Sequence, residues 1–258
     1  MNKKNLSEYK KLDIFDGTEV LFAKNHTLDF PNHTHDTYNI ALVLNQTFNA
    51  KLNSKFLQAP IGTLCITNPD EVHATPCDKS IGNSFITFYI APTILRQINN
   101  DAEVFFKDKV IYNPGLFSKL HYLALNSEIK QTYFEGDLLN ALHALVSEHA
   151  TELEFKDKET RLFQDFIQET SLEQFSLDKT ARKFGIDKFK FLRLFKQETG
   201  LTPHSYVSLK KINKAKDLLS RNEDLAEVAY ASGFYDVAHL SREFKRYVGV
   251  TPGTYKNG

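Results

Sequence analysis

The stretch Phe184-Gly-Ile-Asp-Lys-Phe-Lys-Phe-Leu-Arg-Leu-Phe-Lys-Gln-Glu-Thr-Gly-Leu-Thr-Pro-His-Ser-Tyr206 returns as Gly233-Phe-Tyr-Asp-Val-Ala-His-Leu-Ser-Arg-Glu-Phe-Lys-Arg-Tyr-Val-Gly-Val-Thr-Pro-Gly-Thr-Tyr255. Asp187/Asp236, Arg193/Arg242, Phe195/Phe244, Gly200/Gly249, Pro203/Pro252 and Tyr206/Tyr255 coincide at one offset of 49 residues. Gly185/Gly233 coincides at 48, so a turn absorbs one residue. A solenoid-type helical repeat needs more than two copies to bury a core. A duplicated, self-sufficient unit fits two copies better.

Each copy reads as helix, tight turn, helix. In the first, Leu177, Thr180, Ala181 and Phe184 form a short apolar face. Gly185 follows, where a chain leaving a helix often needs positive φ. Asp187 is placed to cap the next helix by accepting from its free N–H groups. That helix carries Phe191, Leu194 and Phe195 on its core side. The second copy runs Leu225, Val228, Ala229, Gly233, the cap Asp236, then Leu240 and Phe244. Two helices joined by a glycine turn make a helix-turn-helix unit.

The opposite face of each second helix is the expected DNA reader, since residues three and four apart share a side. It presents Lys188, Phe189, Lys190, Leu192, Arg193 and Lys196 in the first copy, and Val237, Ala238, Ser241, Arg242 and Lys245 in the second. A recognition helix meets base edges in the major groove through its N-terminal residues. Arg can bond guanine bidentately, and apolar groups can pack on the thymine methyl. Lys188, Lys190, Lys196, Lys245 and Arg246 suit phosphates, which position the protein without specifying sequence. An ordinary solvated face would also account for any one of these lysines. Ser205–Ser220 reads as one connecting helix with Leu209, Ile212, Ala215, Leu218 and Leu219 inward. At about 1.5 Å per residue it spans roughly 24 Å. A rod of that size could set two reading helices about one DNA turn apart, roughly 34 Å.

Outward from this repeat, residues 18–90 favour strands. Val20-Leu-Phe-Ala, Tyr38-Asn-Ile-Ala-Leu-Val-Leu, Lys51-Leu, Leu64-Cys-Ile-Thr and Ser84-Phe-Ile-Thr-Phe-Tyr-Ile are separated by the turn signals Phe30-Pro-Asn, Ala59-Pro-Ile-Gly and Asn68-Pro-Asp. Short strands at this spacing predict a barrel or sandwich. Helical pattern resumes at Pro92 with Ile94, Leu95 and Ile98. Residues 136–153 carry a stripe of Leu138, Leu139, Leu142, Leu145 and Val146. It either packs on the barrel or pairs with a second subunit. The charged stretch Glu148–Arg161 marks the expected boundary between a domain of residues 1–155 and one of 156–258. The predicted class is α+β: a β-barrel with flanking helices, then an all-α domain of two helix-turn-helix units joined by a long helix.

With 258 residues and 41% hydrophobic content, the chain has room for two packed domains. Net charge is zero, but it is unevenly spread. Residues 1–160 hold 15 Lys/Arg against 20 Asp/Glu, and residues 161–258 hold 17 against 12. The basic end is the one suited to a polyanion. The two cysteines, Cys65 and Cys77, form no metal spacing and are expected to stay reduced. The first residues lack the apolar stretch of a secretory signal, and no run is long enough to span a membrane. The expected location is the cytoplasm, with no membrane association.

The C-terminal residues resemble the AraC family of bacterial transcription regulators over about residues 170–258. The match includes Ala181, Gly185, Arg193, Phe195 and Gly200-Leu-Thr-Pro203, then Val228-Ala229, Gly233-Phe234, Asp236, His239, Arg242, Phe244 and Gly249-Val-Thr-Pro252. Lys188-Phe-Lys-Phe191 departs from the small polar residues usual in the first reading helix, which puts the target sequence in doubt. The resemblance implies a sequence-specific regulator of nearby promoters that binds double-stranded DNA, with RNA polymerase as a further partner and a possible homodimer. His33-Thr-His35-Asp-Thr-Tyr38 and Gly62-Thr-Leu-Cys-Ile-Thr-Asn-Pro-Asp-Glu-Val-His73 resemble the two motif regions of cupin barrels, similar to the sensing domain of many such regulators. That implies a small-molecule effector bound near His33, His35, Tyr38 and His73.

The same histidines admit a second chemistry. A His-X-His pair points both side chains to one face of a strand, and a third His from a facing strand could complete a metal site. Asn39 stands where a carboxylate usually joins the histidines of catalytic cupins, so Glu71 or Asp36 would have to substitute. Three neutral imidazoles could still bind zinc, nickel or copper. Otherwise the histidines line a small-molecule pocket or cap strands. No resident cofactor is expected, and a bound divalent metal stays open. The competing reading of the whole chain is a cupin-type metal-binding protein or metalloenzyme with a helical accessory domain.

Overall fold

A computed structural model describes residues 6–15, 17–52, 55–126, 131–151, 163 and 175–258. By contact, the chain divides into two compact units, Met1–Asp29 with Thr34–Phe155 and Gly258 in the first, and Phe30–His33 with Lys156–Asn257 in the second. Most of the charged stretch Glu148–Arg161 lies outside the described residues.

Among the described residues there are ten strands, β1 (Leu6–Lys11), β2 (Glu19–His26), β3 (Phe30–His33), β4 (Tyr38–Asn45), β5 (Phe48–Leu52), β6 (Lys55–Ala59), β7 (Leu64–Thr67), β8 (His73–Thr75), β9 (Asn83–Ile90) and β10 (Val110–Ile111), all but β3 in the first unit. They form a six-stranded sheet, β1-β2-β9-β4-β7-β10, and a four-stranded sheet, β3-β8-β5-β6. Strand β4 is buried from Tyr38 to Val43, as befits a central strand covered on both faces. Ile40 stands opposite Ile66 on one side and Phe88 on the other. Alternation then sorts the faces. Tyr38, Ile40, Leu42, Ile86, Phe88 and Ile90 join an apolar core with helices α1 (Pro92–Ile98), α2 (Pro114–Leu125) and α3 (Gln131–His149). Phe85, on the other face of β9, meets Phe48 of the smaller sheet with ring centroids 5.1 Å apart. The sheets therefore pack face to face, and the helices cover the outer face of the larger one.

The stripe on α3 finds its partner inside this unit. Leu138, Ala141, Leu142, Leu145 and Val146 are buried in that core, and Leu139 is half-buried against it. Each fully buried Leu or Val among them contributes about 1.5–3 kcal/mol. Packing on the sheet is thus what the stripe does, rather than waiting for a second subunit.

The expectation at Phe30-Pro-Asn is corrected. This segment is not a turn but the first residues of β3. β3 stands at the edge of its sheet, the position in which strands accommodate proline.

The second unit is helical: α4 (Leu177–Lys183), α5 (Lys188–Thr199), α6 (Pro203–Ser220), α7 (Leu225–Ala231), α8 (Val237–Val248) and α9 (Pro252–Lys256). The repeat in sequence is a repeat in structure. Ser176 and Asp224 cap α4 and α7, Asp187 and Asp236 cap α5 and α8, and Thr202 and Thr251 cap α6 and α9. Gly185 and Gly233 take positive φ, 66° and 81°, in the two turns. Phe195 meets Tyr206 at 5.5 Å and Phe244 meets Tyr255 at 5.3 Å, the same contact in each copy. Leu209, Ile212, Ala215 and Leu219 line the buried side of α6. A sheet-rich first unit and a helical second unit with a long central helix are what the sequence patterns predict.

Candidate nucleic-acid interface and histidine site

The reading helices begin at fixed points. The Asp187 carboxylate accepts from the N–H groups of Phe189 (2.9 Å) and Lys190 (3.0 Å). These bonds hold its pKa below the ordinary carboxylate value. The Asp236 carboxylate accepts from His239 N–H at 2.6 Å. Each cap sets where the first turn starts, and with it which side chains point outward.

On α5, Phe191 and Phe195 are buried, while Lys188, Phe189, Lys190, Arg193 and Lys196 are exposed and Leu192 is half-buried. Phe189 is 72% exposed, a large apolar surface left in water, with the Lys188 ammonium 5.4 Å from its ring centroid. On α8, Leu240, Phe244, Tyr247 and Val248 are buried. Ala238, Arg242 and Lys245 are exposed, and Val237 and Ser241 are half-buried. Every residue predicted for the reading faces lies on the outer or flanking side of its helix, none in the core.

Three features escaped the sequence reading. Phe163 packs its ring on Phe184 (4.8 Å) and Phe191 (5.2 Å), extending the first core upstream of α4. Lys211, on α6, donates to the Gly233 carbonyl at 2.6 Å, tying the connecting helix to the second turn. Tyr235, directly before the Asp236 cap, is 92% exposed. Exposed aromatics beside a reading helix are a signal that could have flagged Tyr235. Nothing local marks Phe163 or Lys211.

In the first unit, His35 and His73 lie side by side, their ring centroids 5.3 Å apart, while His33 closes the segment Phe30–His33, which groups by contact with the second unit. The route differs from a strand pair. His33 ends β3, His35 lies beyond it, and His73 opens β8, so the His-X-His pair does not lie on one strand. Asp70 N–H donates to the His35 carbonyl at 2.8 Å, joining the two connecting segments that carry His35 and His73. The 68–72 turn is itself fixed. Lys109 Nζ donates to both Glu71 carboxylate oxygens (2.6 and 2.8 Å), and Glu71 accepts from Asn68 N–H. Asn68 makes a reciprocal pair with the Phe106 backbone, donating and accepting at 3.0 Å. Glu71 is thereby occupied with Lys109 and, like Asp36, does not supply the carboxylate considered above. His35 packs its ring 5.3 Å from those of His73 and Tyr89. Burial lowers the His73 pKa, against the opposing pull of the Glu71 carbonyl and charge. Tyr38 stands apart: its hydroxyl donates to the Val104 carbonyl and its ring meets Phe106.

Comparison with known proteins matches both units. Residues 17–169 match the family described as AraC-like ligand binding domain, and residues 180–258 match a helix-turn-helix domain. The chain is 29% identical over 226 residues to the uncharacterized HTH-type transcriptional regulator YbfI of Bacillus subtilis, covering 82% of this chain and 81% of that one. It is 24% identical to the HTH-type transcriptional activator RhaS of an Enterobacter strain, over 89% of this chain and 88% of that one. Its fold matches crystal structures of ToxT from Vibrio cholerae. The apo K231A form gives a TM-score of 0.57 at 14% identity over 99% of this chain and 98% of that one. The chain belongs to the AraC family of transcription regulators, an AraC-like ligand-binding domain preceding a helix-turn-helix DNA-binding domain.

Proposed function

We propose that the chain reads an asymmetric DNA site with α5 and α8, under control of a small molecule bound in the first unit. The observation that carries this is the pair of Asp-capped helices with exposed outer faces of unlike chemistry. Arg193 and Arg242 reach base edges, and Phe189, Leu192, Val237 and Ala238 pack on thymine methyls. Lys188, Lys190, Lys196 and Lys245 contact phosphates, joined by the Tyr235 hydroxyl. Ser241 bonds a base or the backbone. The sensing region is the interior of the first unit beside His35 and His73, away from Tyr38 and without His33, both of which the sequence placed there. A change there alters the packing of α3 or the N-terminal strand and so the presentation of the readers. RNA polymerase and a second copy of the chain are the protein partners. The protein works in the cytoplasm and carries out no catalysis.

The test is binding of the purified chain to its own upstream DNA against random DNA of equal length, with salt varied. Specific affinity about 10³-fold or more above non-specific is expected. Equal affinity for both DNAs at every salt would overturn sequence reading.

A further inference from the structure

We infer that α4 grips the DNA backbone through Lys179 and Arg182, and that α7, its counterpart in the second copy, does not. Resting on the DNA binding proposed above, this adds a one-sided phosphate contact beside the half-site that α5 reads.

The two helices are the same piece of structure with opposite surfaces. α4 and α7 are each seven residues long, and each begins at a capping side chain, Ser176 or Asp224. Each leads two residues later into a glycine of positive φ, Gly185 or Gly233. At that offset of 48, Asp178, Lys179, Arg182 and Lys183 stand where α7 has Ala226, Glu227, Tyr230 and Ala231. The buried positions agree in kind: Thr180 and Ala181 in α4, Val228 and Ala229 in α7. The outer positions do not. α4 exposes Lys179, Arg182 and Lys183 beside one carboxylate, Asp178. α7 exposes Glu227 and no cation, with Tyr230 82% exposed. Folding accounts for the shared residues and not for the cations. Basic side chains in a last helical turn favour the helix dipole, yet α7 forms the same helix with none there.

Placement gives these cations a task. Lys188, which opens α5, has its ammonium 3.9 Å from the Asp178 carboxylate. The exposed side of α4 therefore adjoins the first turn of the reading helix, the part that meets base edges. Arg182 stands one turn along α4 from Asp178 on the same side, and Lys179 borders it. The charge of Asp178 is offset locally by Lys188. In helix-turn-helix proteins the first helix crosses the DNA backbone while the second lies in the major groove. A guanidinium there suits phosphate by two parallel N–H bonds, and an ammonium suits it as a point charge. On α7, Glu227 occupies the position of Lys179 and repels phosphate. The backbone beside the second half-site is then left ungripped.

The experiment compares the full-length chain with the double variant Lys179→Gln, Arg182→Gln. Glutamine keeps helix propensity at these exposed positions, so the circular dichroism should match the wild type. Binding is followed against salt on DNA from upstream of the chain's own gene and on random duplex. Losing two phosphate contacts should flatten the slope of log affinity against log salt by about 1.8 on both DNAs and leave their affinity ratio unchanged. Lys179→Arg with Arg182→Lys, which preserves both charges, should keep the wild-type slope, and so should Glu227→Gln. Phosphate ethylation interference should extend beyond one half-site only, and the double glutamine variant should lose that extension. Random duplex reports the slope even without sequence preference, so a chain lacking preference contradicts the operator reading and not the α4 contact. No binding to either DNA contradicts both. A wild-type slope in the double glutamine variant would overturn the inference, as would a fallen affinity ratio, or interference extending equally past both half-sites.

Discussion

Arg242 and Lys245 stand one turn apart on the exposed side of α8, yet the groups they are proposed to meet differ, and that difference is measurable. Arg242→Ala should cost about 1–3 kcal/mol on the specific site and relax base preference at one position. Lys245→Ala should weaken specific and random DNA alike and reduce the salt slope by about one. Equal losses on both DNAs for both variants would refute the division of labour. Tyr38 gives a prediction of another kind. Burial, the Glu103 charge and, in opposition, Arg96 push its phenol up to about 12 from an ordinary value of 10.0. A raised folded pKa means that the fold favours the neutral phenol. Its stabilisation is whole below pH 10 and is lost as pH rises through about 12. Tyr38→Phe should cost about 1 kcal/mol at neutral pH by losing the bond to Val104, and the gap between the two proteins should narrow above pH 10 in alkaline denaturation. A constant gap to pH 12 would contradict the assignment. Single residues were legible where chemistry is local. Asp187 and Asp236 announce caps by their place before a periodic run. Phe163 and Lys211 act on groups that are 21 or more residues away in sequence, and no periodicity reports such a partner.

Elements were legible in proportion to their regularity. Helices α4 to α8 carry caps, glycine turns or apolar spacing of three and four and appear where that pattern places them, whereas the five-residue α9 is too short to show a period. The strands divide. β4, β7 and β9 are apolar along their length and readable. β6 buries only Ala59 of its five residues, β8 is three residues long, and β3 contains a proline, so none carries the alternation that marks a strand. Turns can be tested at the same scale. Gly185 has φ of 66°, while a Cβ built there meets nothing within 4 Å. Gly185→Ala should therefore destabilise the helical unit through backbone strain alone, by roughly 1–2 kcal/mol. Lys211→Met keeps the apolar stem and removes the charged donor from the Gly233 carbonyl. It should cost about 1–2 kcal/mol in thermal or chemical unfolding. DNA affinity should drop with it, because the second turn aims α8. A Lys211→Met chain with wild-type melting and wild-type binding would show that the contact fixes nothing.

At the scale of the whole chain, zero net charge hides a basic half that holds 17 Lys/Arg against 12 Asp/Glu in residues 161–258. Binding to DNA should be governed by that half's local field and not by the chain's total, since the Debye length at physiological salt is about 8 Å. Lys188, Lys190, Lys196, Lys245 and Arg246 are five exposed cations on the two reading helices. If each neutralises one phosphate, log affinity should fall with log salt at a slope of about −4.5. The two helices do not share these cations equally: α5 carries three lysines and an exposed Phe189, and α8 carries Lys245 and Arg246 beside smaller residues. Charge removal on α5 should therefore flatten the salt slope more than charge removal on α8. The same asymmetry predicts that one chain protects two unlike half-sites about one helical turn apart. Inverting one half-site of the operator while keeping its spacing should cost at least about tenfold in affinity, because neither helix can replace the other. Hydroxyl-radical footprinting with salt titration reads both quantities on the same complex. A symmetric footprint indifferent to that inversion, or a slope shallower than about −2, would mean that α5 and α8 do not engage DNA together.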